Sequence, residues 1–394
     1  MNANDNLDLN PVIKHMRAEK KGVHVLSAIV ILSALFLAAC DDSDSFKPFS
    51  RQFVDVSPFM IEDNLLFDEM NNPTGIFTSD DNDESSFSDF VARQQLIAVG
   101  DLQVASTMSY LEAGDPDGDP IVLVHGQPTQ AFLWRHVIPL LPQDARIIAV
   151  DLIGYGESSK PDIDFTFKQH AAYLRAFIET LKLDDKPITF VAHDIGSVPA
   201  LAYASRFPEN IKGYAFFESM LGPVPSFDVM PEQAQFFRTA DGNASIISEN
   251  TFIEVMLISE EMSSHHFTDE ELAVYRKPFI EEIERDVLAI VPLEVPIIGG
   301  APDGFGDTNI ELLGRNVQYL MTDPVSKLFM YSEQGVLIPS VAVESVIANF
   351  NPENSLVAVD VGDAKHFWQE EIPEVLAAEI SFWYRSLPGN SESN

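Results

Sequence analysis

The residues best suited to chemistry are Ala192-His193-Asp194-Ile195-Gly196. They follow an apolar run at 188–192 that suits a buried strand and precede a helix-forming run at 197–206. Small residues on either side of a central one allow a sharp strand-to-helix turn that lifts the central side chain out of the sheet. Here that side chain is a carboxylate, which needs no base to become a nucleophile. Taken alone, the pentapeptide also fits a plain helix cap. Its surroundings favour chemistry. His125-Gly126-Gln127-Pro128 follows the apolar run 121–124 and is either a plain βα turn or a loop whose Gln127 backbone N–H faces the same point as that of Ile195 and holds a developing oxyanion. His366, after the run 356–361, is the candidate general base. A base of this kind needs an acid to fix its tautomer. Glu218, ending the run 214–217, and Glu333, after the run 327–331, are the two candidates. Ser158 sits in Gly154-Tyr155-Gly156-Glu157-Ser158, where the glycines fall in the wrong frame and no strand leads straight into it, so it reads as a loop residue. His265 and His266 read as surface residues. With one cysteine and no H-E-x-x-H spacing, no metal site is expected.

The elements that must position these groups follow from the apolar pattern. Short apolar runs alternate with amphipathic segments beyond about residue 95, which predicts βα units and a mainly parallel sheet. Ala171, Leu174, Phe177, Ile178 and Leu181 recur at helical spacing, as do Leu376, Ile380, Trp383 and Leu387, and both stripes read as core faces. The alternation breaks at 219–318, which looks helical and is expected to cap the C-terminal ends of the strands, where open α/β sheets bind ligands. The expected body is therefore 95–218 with 319–388, and the cap 219–318. No internal repeat is visible.

Upstream, a basic stretch with Lys14, Arg17, Lys20 and Lys21 leads into an apolar run at 23–39 and ends Leu37-Ala38-Ala39-Cys40. This is the layout of a signal peptide, and its end resembles a bacterial lipobox whose cysteine is acylated. The alternative is an uncleaved transmembrane anchor. Either predicts a domain outside the cytoplasm and tethered to a membrane in the cell envelope, on the periplasmic side in a Gram-negative cell. Residues 1–40 are then the lipoprotein signal peptide and 41–94 an acidic, solvated linker that includes Ser79-Asp80-Asp81-Asn82-Asp83-Glu84. The chain of 394 residues carries a net charge of -37, which repels nucleic acid. Its single cysteine excludes an intramolecular disulfide.

Several segments extend the pattern around Asp194. They are Gln127-Pro128-Thr129 with Leu133-Trp134-Arg135, Asp151-Leu152-Ile153-Gly154, Arg238-Thr239-Ala240-Asp241, Phe252-Ile253-Glu254, Tyr275-Arg276-Lys277-Pro278-Phe279 and Gly335-Val336-Leu337-Ile338-Pro339. With His193-Asp194 they resemble the haloalkane dehalogenases from about residue 95 to 387, particularly the subfamily whose acid follows the sixth strand. The resemblance implies an α/β-hydrolase fold with Asp194 as nucleophile, His366 as base, Glu218 as its acid, and no cofactor. The implied substrate is a small apolar haloalkane, cleaved to alcohol and halide through an alkyl ester on Asp194. Two positions depart from the family, both in its halide grip: Gln127 stands where an Asn donor is usual, and Ile195 where a Trp indole N–H is usual. Gln127 keeps an amide and remains the expected halide-binding residue. Ile195 offers no donor, and losing one typically costs about 10²–10³ in rate. The elbow also resembles that of some epoxide hydrolases, for which Tyr275, Tyr319, His265 or His266 would be the cap acid. A third reading is a non-catalytic lipoprotein that binds a small apolar ligand.

Overall fold

A computed structural model of the chain describes residues 50–55 and 106–390. Cys40, the leader and the acidic run at 79–86 lie outside the described residues.

Eight strands form one sheet: β1 (Ser50–Asp55), β2 (Thr107–Gly114), β3 (Pro120–Val124), β4 (Arg146–Val150), β5 (Ile188–Asp194), β6 (Ile211–Ser219), β7 (Ser326–Tyr331) and β8 (Leu356–Asp360). Their spatial order is β1-β2-β4-β3-β5-β6-β7-β8, with β2 antiparallel to both its neighbours, β1 and β4, and all the remaining pairs parallel. The central strands read as continuous apolar runs because both faces are covered, and β3 and β5 are buried along their whole length. The six runs expected from sequence are β3 to β8. Strands β1 and β2 were not among them, and β1 falls in the stretch 41–94 expected to be a solvated linker.

Strand β1 is joined by more than its ladder. The guanidinium of Arg51 donates to Ser109 Oγ at 2.8 Å and pairs with the fully buried carboxylate of Asp151. The same carboxylate accepts the backbone N–H groups of Ala131 (2.7 Å) and Glu157 (3.1 Å), so one buried anion gathers the edge strand and two loops after β3 and β4. Ser158 is a loop residue, its hydroxyl donating to the Asp151 carbonyl at 2.7 Å.

Ten α-helices accompany the strands among the described residues. Helices α1 (Phe167–Thr180) and α2 (Ser197–Arg206) fall between β4 and β6. Helix α1 starts at a capping box formed by Thr166 and Gln169. Between β6 and β7 lie α3 (Glu232–Phe237), α4 (Ala240–Glu249), a π-helix (Phe252–Leu257), α5 (Asp269–Arg276), α6 (Asp286–Glu294) and α7 (Ile310–Thr322). Helices α8 (Ser340–Asn349), α9 (Trp368–Glu371) and α10 (Pro373–Ser386) complete the chain. The expected cap, 219–318, is too long: α7 packs against α2 in the body, and Asn316 Nδ2 donates to the Val198 carbonyl at 3.2 Å. Its amphipathic stripe faces the core, and such a stripe looks the same in sequence whichever layer receives it.

The cap is tied down by buried charges. Arg135 donates to both oxygens of Glu370 (2.6 and 2.8 Å) and to cap residue Glu271 at 2.5 Å, and the Tyr275 hydroxyl donates to Glu370 at 2.5 Å. Arg238 grips Asp303 through two bonds of 2.7 Å and donates to the carbonyls of Pro292, Val295 and Phe305. Paired and fully hydrogen-bonded charges can stay buried; removing one partner of such a pair costs about 3–5 kcal/mol. Among the described residues, no helix is long and apolar enough to cross a membrane.

Candidate active site

Asp194 is the last residue of β5 and has φ 51, a left-handed conformation uncommon for a residue with a side chain. The β5–β6 register slips between His193 and Asp194, so the chain leaves the ladder at the point where the carboxylate projects. It does not cap the following helix: Gly196 holds the cap position, and Asp194 Oδ2 instead accepts the N–H of Gln127 at 2.8 Å. That approach requires glycine at 126, where a Cβ would sit 2.3 Å from the Asp194 Cβ. The Ile195 N–H acts on the same carboxylate. The two amides expected to form an oxyanion hole therefore converge on one carboxylate.

The loop that brings Gln127 there is fixed from behind. His125 Nε2 accepts the Leu152 N–H at 3.0 Å, which leaves its Nδ1–H to donate to the Gly126 carbonyl at 2.9 Å. Burial holds His125 below the ordinary imidazole range, so it stays neutral and keeps this tautomer.

Glu218, near the end of β6, also has a positive φ of 42. It faces His366, whose Nδ1 lies 3.0 Å from Glu218 Oε2. The N–H groups of Val336, Leu337 and Ile338 donate to the same carboxylate at 2.8, 2.9 and 3.3 Å. A Cβ on Gly335 would lie 2.7 Å from Glu218 Oε1, so the motif Gly335-Val336-Leu337-Ile338 wraps the acid closely. Of the two candidate acids, Glu218 is the one paired with His366, and Glu333 is exposed. His193 Nε2 donates to the His366 carbonyl at 2.9 Å, and Met262 of the cap accepts the His366 N–H at 3.0 Å. The base is thus held by side chain, backbone and cap together.

The electrostatics follow from enclosure. Burial pushes the Asp194 carboxyl up to about 6, against the pull of the His366 charge and of the Gln127 and Ile195 amides. Burial alone would lower His366; the Glu218 hydrogen bond and the charges of Asp194 and Glu218 outweigh it and leave its pKa raised. His193, pressed down by burial and then by the His366 charge, stays neutral.

The halide-side residues stand differently. Ile195 is buried and brings only its backbone amide to the site. Gln127 Nε2 donates to the Leu288 carbonyl of α6 at 3.1 Å, and Gln127 Oε1 accepts the Tyr155 hydroxyl at 2.9 Å. Tyr155 was missed in the sequence, where it looked like one residue of a glycine-flanked loop. Of the other cap candidates, His265 and Tyr275 are engaged elsewhere, while the buried Tyr319 hydroxyl has no hydrogen-bond partner among the described residues. His265 lies 3.2 Å from Glu271, Tyr275 donates to Glu370, and His266 is exposed. Tyr319 lies on α7, and beyond burial its hydroxyl is raised by Asp323. Among the described residues one grouping, His136, Glu271 and Glu370, is close enough to hold a cation. The Arg135 guanidinium already occupies both of its carboxylates.

The chain is similar to known proteins of this fold. Residues 119–287 match the family model for the alpha/beta hydrolase fold. A haloalkane dehalogenase of Agrobacterium fabrum is 32% identical over 280 residues, which is 69% of this chain and 87% of that protein. A coelenterazine h 2-monooxygenase of Renilla reniformis is 30% identical over 295 residues, 73% of this chain and 90% of that one. The crystal structure of a haloalkane dehalogenase from Bradyrhizobium elkani superposes with a TM-score of 0.65 at 30% identity, covering 71% of this chain and 94% of that one. With its sheet order, its elbow and these relatives together, the chain belongs to the haloalkane dehalogenase family.

Proposed function

We propose that the chain hydrolyses carbon–halogen bonds of small apolar haloalkanes through a covalent ester on Asp194. The observation that supports this reading best is the enclosed Asp194 carboxylate, one oxygen of which accepts the Gln127 amide and so leaves the other to attack. In the first step that oxygen attacks the halogen-bearing carbon; a carbon–oxygen bond forms, the carbon–halogen bond breaks, and halide leaves with the electron pair. Alkylation removes the charge on Asp194, and with it one of the influences that raise His366. The imidazole is therefore more easily neutral at the stage where it must act as a base. In the second step His366, oriented by Glu218, takes a proton from water, and the hydroxide attacks the Asp194 carbonyl carbon while the Gln127 and Ile195 amides hold the oxyanion. The acyl carbon–oxygen bond then breaks, the alkoxide takes the proton from His366 and leaves as alcohol, and the new carboxyl gives its proton to solvent, which restores the carboxylate. No step calls for a cofactor.

Isotope labelling tests the ester. In a single turnover of 1-bromohexane in ¹⁸O-water, the first alcohol should carry the old Asp194 oxygen and the label should enter the Asp194 peptide, read by mass spectrometry. Label in the first alcohol with none in the peptide would mean direct attack by water and end this reading. Epoxide opening would need an acid from the cap, and Tyr275 and His265 are already paired with carboxylates. A ligand-binding lipoprotein without catalysis has no use for a three-amide cradle around the acid of a base. We further propose, from the Leu37-Ala38-Ala39-Cys40 sequence, that Cys40 is acylated and tethers the domain outside the cytoplasm. Palmitate labelling of intact cells that persists in Cys40→Ser would refute this.

A further inference from the structure

The side chain of Gln127 is held at both ends in a way its family resemblance does not supply. The Leu288 carbonyl can only accept a hydrogen bond, so the atom facing it at 3.1 Å is the amide nitrogen. The amide oxygen then faces Tyr155, whose hydroxyl must donate across the 2.9 Å gap. The two contacts together remove the usual ambiguity of an amide's orientation. Tyr155 is itself fully buried, edge-on to His125 at 5.3 Å and to Phe279 at 6.1 Å, so its ring has little freedom to swing. Its hydroxyl also lies within the field of Asp194. Gln127 is longer by one methylene than asparagine, and without such a clamp an extra rotatable bond would let its amide wander. One amide hydrogen is committed to Leu288. The second has no partner among the described residues, and Ile195 supplies no side-chain donor beside it.

We propose that Tyr155 is a positioning residue which, with the Leu288 carbonyl of the cap, makes Gln127 a single-donor halide cradle and restricts the enzyme to bromide and iodide leaving groups. The inference rests on the dehalogenase reading above and names its substrate class. Chloride is the smallest and most charge-dense of the three ions, so its departure depends most on donors aimed at the developing charge. Bromide and iodide spread that charge over a larger volume and depart with less help. A site with one oriented side-chain donor therefore separates the three halogens more steeply than a site with two.

The test uses matched 1-chloro-, 1-bromo- and 1-iodohexane with the full-length protein and reads halide release. The wild type should turn over the bromide and iodide and release chloride at least about a hundredfold more slowly. Tyr155→Phe should lower kcat for the bromide about tenfold, leave KM nearly unchanged, and widen the bromide-to-chloride ratio further. A purely structural loss would scale all three substrates by one factor, and that result would overturn the proposal. Adding Tyr155→Phe to Gln127→Leu should bring no further leaving-group effect, because Tyr155 acts through Gln127; an effect that persists in this background also overturns it. Calorimetric titration of the resting protein with sodium bromide keeps the outcomes apart. A wild type that releases no halide refutes the dehalogenase reading. Bromide binding that weakens about tenfold in Tyr155→Phe still supports the cradle, and equal binding by both proteins refutes it.

Discussion

The two walls of the site are built to different standards. On the base side, Glu218 accepts three backbone N–H groups and faces the His366 imidazole, and His366 is held in turn by His193 and by the cap. On the side proposed to hold the halide, one amide between Tyr155 and Leu288 remains, and the residue after the nucleophile is aliphatic. The machinery that breaks the ester is over-determined, whereas the machinery that forms it relies on few donors. Ester formation should then be the slow step, and the halogen should control the overall rate.

The largest expected effect comes from removing the group both walls serve. Asp194→Asn should reduce halide release by about 10⁴-fold or more, and retained turnover in a steady-state assay would break the comparison at its root. His366→Phe should disable one wall alone. It should release about one equivalent of bromide per enzyme and then stall, because the carboxylate needs no base to attack. Mass spectrometry should find the alkyl group on Asp194; multiple turnovers would mean that the base side is not required. Ile195→Trp addresses the other wall. It should raise debromination about tenfold by returning an N–H to the leaving ion, at some loss of stability because the position is enclosed. An unchanged rate would show that the halide wall already has the donors it needs.

The smallest effect is the sharpest on pH. A carboxyl raised to about 6 is mostly protonated below that pH, so the rate of bromide release should fall roughly tenfold per unit as pH drops below about 6. Rapid-mixing halide release from pH 4.5 to 8 measures this. A rate that stays level down to pH 4.5 would remove Asp194 ionisation from the first step.

Much of this was legible in the residues. Parallel strands announce themselves as apolar runs, even at β8, a sheet edge whose residues are exposed or half-buried, and an elbow needs small residues at fixed offsets, so β3 to β8, Asp194 and His366 could all be located. The position of the acid rested on the family resemblance, which gave Glu218; the strand pattern alone left Glu333 beside it, because both follow neighbouring strands and the difference lies in where the loop at 335–338 turns its N–H groups. Tyr155 was invisible for a similar reason: a hydroxyl's partner depends on loop geometry, and its neighbours in sequence say nothing of Gln127. Strand β1 was missed because six residues carrying Arg51 and Gln52 show little apolar alternation and lie some fifty residues from their partner strand.

Strand β1 also marks where the working enzyme begins. A shortened protein starting near residue 95, at the edge of the resemblance to its relatives, would discard the Arg51 guanidinium and leave the Asp151 carboxylate enclosed without its counter-charge. Such an orphaned charge is destabilising by about 3–5 kcal/mol. The damage would reach beyond the sheet edge, since Asp151 also anchors the Ala131 and Glu157 amides, on the loops that carry Gln127 and Tyr155. Trimming the protein to its recognisable portion would thus loosen the halide cradle from a distance, and a poor catalyst made that way would say little about the native one.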